Sequence, residues 1–165
     1  GGIGPVDRLS SVGGVSSVGR ERRVPHVGGQ RRIRQGDADR ALALRRANLG
    51  PNHPSTVMSF TLAADLRRAS GDFATGLAMF EECRALAAAA QPAQLANVYR
   101  CDLGIGRCAM HLGRFEQAEA ALLRCKESHA AADKASPVRG QLVTVDRDLE
   151  LLQRMRERAA GAGGK

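Results

Sequence analysis

Four cysteines and a histidine, Cys83, Cys101, Cys108, Cys125 and His111, are the residue types in this chain best suited to chemistry. Thiols hold soft metals or act as nucleophiles, and a zinc site draws its ligands from close pairs such as C-x-x-C. No such pair occurs. Cys101 and Cys108 lie seven apart, on one face if the segment is helical, so a metal reading needs His111 to join them. A reactive thiol needs a cysteine facing solvent beside a cation. The simpler expectation is four small residues buried between helices, with no metal and no cofactor.

A second candidate is "GIGRCA" at 104–109, which formally fits the G-x-G-x-x-A phosphate loop of dinucleotide sites. That loop must follow a strand, whereas "LANVYRCDL" before it reads as helix. Nowhere does the sequence bring a nucleophile, a base and an orienting group together. The chain is therefore read as non-catalytic.

Composition points to helices. Within 165 residues, enough for one domain, 43% are hydrophobic, Ala and Leu dominate, aromatics are 3% and Trp is absent. Such small aliphatic side chains suit close-packed helices better than sheets, so the expected class is all-α. The net charge of +8 raises the question of nucleic acid. Against it, no basic run exceeds two residues, and Tyr99 and the four Phe do not interleave with the 22 Arg as stacking platforms would. No apolar run approaches the ~20 residues that span a bilayer, which argues against a membrane partner. Unpaired cysteines and the lack of an export signal lead to the cytoplasm as the expected compartment.

Residues 1–35 are rich in Gly, Ser, Val and Arg without a helical period, and are expected to be low-complexity and disordered. The start at Gly1 rather than Met suggests a fragment. From about Asp37 helical signals begin. Ala41, Leu42, Leu44 and Leu49 form an apolar face that "LGPNHPST" ends. A second helix opens near Pro54 and carries Val57, Phe60, Ala63 and Ala64, closing at "ASGD". A third carries Phe73, Leu77, Phe80 and Leu86 and stops before Pro92. The fourth, over about 93–111, offers Leu95, Val98, Ile105 and Cys108 for burial, and a fifth runs from Phe115 to about Ala131. Ser136 and Pro137 read as N-cap and first residue of a sixth helix, with Leu142, Val145, Leu149, Leu152 and Met155 as its stripe. The predicted organisation is 36–132 as helical repeats, the first copy partial, and 136–160 as a C-terminal capping helix.

Two stretches say nearly the same thing. "GDFATGLAMFEECRAL" at 71–86 returns 42 residues later as "GRFEQAEAALLRCKES", with Gly71 matching Gly113, Phe73 matching Phe115 and Cys83 matching Cys125. One more step back lands on Ala41. A helical hairpin cannot bury its apolar face alone, so copies stack and each covers the next. The glycine belongs in the turn, the aromatic anchors the following helix, and position 83/125 stays small because two helices meet there.

Residues 39–131, and the run "ALALRRANLGPNHPST" in particular, resemble the tetratricopeptide repeat (TPR) in the long-period variety of kinesin light chains and many bacterial regulators. In that pattern Phe60, Ala63, Ala64, Phe73, Gly76, Phe80 and Cys83 take the packing positions of one repeat. Asp102, Ile105, Gly106, Phe115, Ala118, Leu122 and Cys125 take those of the next. Asp102 departs from a normally large apolar position, Arg67 stands where Tyr is frequent, and Gly29 to Arg34 lack the first repeat's Phe and Ala.

The resemblance implies an α-solenoid that works as a protein–protein interaction scaffold, with a concave groove at Thr61, Asp65, Arg68, Arg100, Leu103, Arg107, Met110 and His111. The expected partner is a protein or peptide segment, extended or helical, bearing acidic residues that pair Arg68, Arg100 and Arg107, with Leu103 and Met110 giving apolar contact. The Asn and Lys of carboxylate-clamp repeats are missing. His53 resembles the family's loop histidine, a turn and packing residue. Such repeats also follow the catalytic domain of bacterial serine/threonine protein kinases and occur in nucleotide-binding signalling proteins. The alternative expectation is thus the recruiting tail of a larger regulator, able to self-associate through its repeat ends. No kinase motif lies in the chain itself.

Overall fold

The computed structural model describes residues 27–133 and 139–162, which form helices joined by short turns, with no strand among them. Six helices follow in order: α1 (Val27–Leu49), α2 (Pro54–Ala69), α3 (Phe73–Ala89), α4 (Leu95–His111), α5 (Phe115–Asp133) and α6 (Arg139–Ala162). Each packs on the next in the chain. In addition α2 touches α4, and α4 touches α6. The helices thus form adjacent pairs, with α2, α4 and α6 also meeting along one side.

Local chemistry accounts for most boundaries. His53 caps α2, its Nδ1 accepting from the Ser55 amide at 3.2 Å, with Pro54 at the first helical position. Asp72 caps α3 through the Thr75 amide. The α2–α3 and α4–α5 turns share one hydrogen-bond pattern, 42 residues apart. The Gly71 amide donates to the Arg68 carbonyl and Asp72 to Arg67; the Gly113 amide donates to Met110 and Arg114 to Ala109. Both glycines sit at positive φ, 89° and 70°, which side chains disfavour and this helix-ending motif requires.

Two of the expected boundaries move. The first helix opens at Val27 rather than near Asp37, so residues 27–35 are helical, not part of a disordered leader. Residues 1–26 lie outside the described residues, as do Ser136 and Pro137. The sixth helix is described from Arg139 onward.

The core has two lobes that share α4. The first gathers Ala38 and Leu42 of α1, Val57, Phe60, Ala63 and Ala64 of α2, Leu77, Phe80 and Cys83 of α3, and Val98, Cys101, Ile105 and Cys108 of α4. The second joins Tyr99, Ala109 and Met110 of α4 to Ala118, Leu122 and Cys125 of α5 and to Val145 and Leu152 of α6. Gly104 and Gly106 of "GIGRCA" are interior to α4, where an added Cβ would come within 2.5 Å of the Phe80 ring and 2.7 Å of Leu122. They let helices approach, and no phosphate loop exists there.

Three apolar residues expected inside are outside: Leu44, Leu49 and Leu95 are each about half exposed or more. Leu44 follows the buried Leu42 by two positions, about 200° around the helix, so it faces away from α2. Leu95 is the first residue of α4, ahead of the stretch that α3 and α5 cover.

Asp102 reverses the expectation attached to it. The side chain is fully buried, yet its Oδ1 accepts from Arg84 Nε of α3 at 2.8 Å and Arg124 Nε of α5 at 3.1 Å. A carboxylate at this depth survives because guanidinium groups from both neighbouring helices reach it while staying partly in water. Arg67, at the other departure from the repeat pattern, pairs with Asp39 of α1 at 2.6 Å.

Candidate binding groove

Six of the eight expected groove residues, Thr61, Asp65, Arg68, Arg100, Leu103 and Arg107, line one open cavity of about 600 Å³. Helical spacing explains the grouping. Thr61, Asp65 and Arg68 lie four and three apart on α2, and Arg100, Leu103 and Arg107 three and four apart on α4, so each trio forms one stripe. The contact between α2 and α4 sets the stripes side by side.

Met110 and His111 are elsewhere. Met110 is 4% exposed and packs in the second core lobe, where Val145 and Leu152 of α6 join it. His111 stacks flat on Phe73, ring centroids 4.1 Å apart and planes 7° from parallel. The causes differ: α6 covers Met110, whereas His111, the last residue of α4, turns its exposed ring onto Phe73 of α3.

The arginines also differ from expectation. Arg68 is held by Asp65 on its own helix at 3.0 Å, and Arg107 by Asp148 of α6 at 2.7 Å. Arg100 has no ion-pair partner among the described residues. Arg45 of α1 reaches in as well, bonding the Ser59 hydroxyl and the Ser55 carbonyl rather than a carboxylate. Two cations in the groove, Arg45 and Arg100, therefore have no ion-pair partner among the described residues.

Met58 and Leu62, which sequence reasoning passed over, supply the apolar part. They are 54% and 56% exposed and line the cavity together with Leu103. The signal was present: four residues apart, they form a second apolar stripe on α2 beside the one that Val57, Phe60 and Ala64 bury. A groove with exposed aliphatic side chains and uncompensated guanidinium groups can hold a segment that is partly apolar and partly anionic.

The four cysteines are unpaired and buried. Burial pushes the Cys108 and Cys125 thiols up to about 11. Cys83 behaves otherwise: a hydrogen bond from Cys101 holds its thiol below the ordinary value and raises that of Cys101. Among the described residues, no group of three or more His, Cys, Asp or Glu is placed to hold a metal ion. No helix there is long and apolar enough to cross a membrane.

Comparison with protein-family models, with curated proteins and with solved structures finds no match to this chain.

Proposed function

We propose that this chain is a non-catalytic protein-interaction scaffold, a TPR-like α-solenoid whose groove between α2 and α4 takes a peptide or protein segment carrying carboxylates beside apolar side chains. The observation that carries the reading is Arg100, a cation without a partner among the described residues, set in a cavity whose exposed Met58, Leu62 and Leu103 lie within the same opening. The 42-residue correspondence of the two turns supports the repeat assignment. The contacts of α2 with α4 and of α4 with α6 agree with hairpins stacked so that one helix of each lines a common side.

The carboxylate contacts fall to Arg100 and Arg45, because Asp65 and Asp148 already engage Arg68 and Arg107. Selecting peptides from a displayed random library against the purified chain tests the reading. Enrichment of Asp or Glu next to Leu, Ile or Met is expected, and Arg100→Glu should weaken the selected peptides by roughly tenfold or more. A library with no acidic enrichment, or full affinity in the Arg100→Glu protein, overturns it.

A second reading rests on α1, which packs mainly on α2, reaches α3 through the Arg46–Glu82 ion pair, and leaves Leu44 and Leu49 exposed. That bare face favours attachment of this end to a further domain or another copy, as in the recruiting tail of a larger kinase-like or nucleotide-binding signalling protein. Size-exclusion chromatography with light scattering checks the self-association arm: a concentration-dependent dimer lost on Leu44→Glu supports it, and a monomer at every concentration excludes it.

A further inference from the structure

A second cleft, of about 800 Å³, opens between α5 and α6, with Leu123 and Leu149 as its apolar part and the exposed Asp146 and Glu150 on its α6 side. Inside the molecule the matching place is filled, because α5 lies over α4. Cys101, Ile105 and Cys108 of α4 pack against α3 as Val145, Leu149 and Leu152 of α6, 44 positions later, pack against α5. In that register Asp146 follows Asp102, and Lys126 of α5 holds Asp146 at 2.8 Å as Arg84 of α3 holds Asp102 at 2.8 Å. Asp102 has a second cation, Arg124 of the overlying α5, at 3.1 Å. Among the described residues no helix lies over α6 in that way, and Asp146 has only Lys126. Glu150 stands 44 positions after Gly106, lines the cleft and has no ion-pair partner among the described residues.

At the other end of the molecule α1 carries the complementary half. Two 42-residue periods before Arg124 stands Arg40, two before Ala118 stands Arg34, and one before Leu86 stands Leu44. Leu86 packs against the first core lobe, whereas Leu44 is 58% exposed. Arg34, Arg40 and Leu44 lie with Asp37 on one exposed face of α1, and neither arginine has an ion-pair partner among the described residues. Resting on the reading in which the bare face of α1 takes another copy, we propose that α1 of one copy seats in the α5–α6 cleft of the next. Arg40 then meets Asp146 as Arg124 meets Asp102, and Leu44 covers Leu123 and Leu149. Arg34 meets Glu150, an opposite-charge pair in place of the close approach of Gly106 to the Ala118 carbonyl. Asp37 shares the α1 face, which stays net positive against the two carboxylates of α6. The two surfaces differ, so each associated copy keeps one free end and growth is open rather than closed at two.

Sedimentation velocity of the full chain over a wide concentration range tests the placement. The average mass should rise past that of a dimer as concentration increases. Arg34→Glu and Glu150→Arg should each weaken association by roughly tenfold or more, and the double variant, with the charges exchanged, should recover it. Both side chains are exposed and make no ion pair within their own copy among the described residues, so circular dichroism should find all three variants folded. Association that Leu44→Glu abolishes but both charge reversals leave unchanged overturns the placement in the cleft and leaves the reading of α1 standing. Growth that stops at a dimer, or a double variant as weak as the single ones, does the same. A monomer at every concentration overturns both.

Discussion

The α2–α3 and α4–α5 hairpins close through the same turn hydrogen bonds 42 residues apart, and position 60/102 is where they diverge. Phe60 and Asp102, 42 residues apart, are both buried beside the helix that precedes them. In the first hairpin Arg46 of α1 lies over the Phe60 ring, 5.0 Å from its centroid. In the second, Arg84 of α3 binds the Asp102 carboxylate. One location thus accepts an aromatic or an acid because a guanidinium from the previous helix offers a cation–π contact to the one and a charged hydrogen bond to the other. Asp102 needed more, since a single half-exposed arginine does not offset the loss of water around a carboxylate, and Arg124 adds the second contact.

The comparison can be broken from either side. Removing both arginines with Arg84→Ala/Arg124→Ala leaves Asp102 buried without a partner and should cost about 3–5 kcal/mol in urea unfolding near neutral pH. Phe60→Ala should cost a similar amount, about 3–5 kcal/mol, as an aromatic is deleted from the first lobe. If the double-arginine variant loses less than a third of what Phe60→Ala loses, the two positions are not equivalent.

Crowding within α4 gives the next effect. Gly104→Ala drives a methyl group into the buried Phe80 ring and should destabilise by about 1–3 kcal/mol, whereas alanine at the open helical position Gly161 should be neutral or slightly stabilising. Paired thermal melts of the two variants read the difference.

The paired cysteines Cys83 and Cys125 predict opposite pH behaviour. Cys125 and Cys108 hold protons more tightly folded than unfolded, so their contribution is complete below pH 9.0 and is lost as pH climbs to about 11, by at most about 3 kcal/mol per thiol. Cys83, whose pKa is lowered, adds stability as pH rises toward 9.0. Urea midpoints across this range should therefore fall less steeply above pH 9.0 in Cys125→Ala, and lose their rise below pH 9.0 in Cys83→Ala.

The smallest effect sharpens the comparison most. Asp102→Leu should stay within about 1 kcal/mol of the parent or exceed it, because an apolar side chain there copies what Phe60 does and frees two arginines to water. A loss above about 3 kcal/mol would mean that the carboxylate is structurally required.

Helix starts and stops were legible because they are local. Proline at the first turn of α2 and glycine at positive φ act within a few bonds of the residue concerned; the Asp72 cap of α3 is equally local, though sequence reasoning took that stretch only as the end of α2. Thr61, Asp65, Arg68, Arg100, Leu103 and Arg107 were named through the resemblance to the repeat family rather than from spacing, whereas the Asp65–Arg68 pair, three apart on one helix, was available to local reasoning. The start of α1 was missed because its glycine-bearing first turns carry no apolar period.

Everything that depended on a distant neighbour had to wait for the packing. Whether Leu42 or Leu44 points inward is decided by where α2 lies, whether Met110 faces a groove or a core by α6, and whether Arg107 is free by Asp148, 41 positions away. The meeting of Cys83, Cys101 and Thr61 joins three helices, and no local pattern encodes it. Periodicity and capping act through a residue's own turn of helix, so the sequence by itself determined the helices and their repeat. Burial and charge pairing are set by whichever element comes to cover a position, so only the tertiary structure decided which arginine and which methionine were left facing the groove.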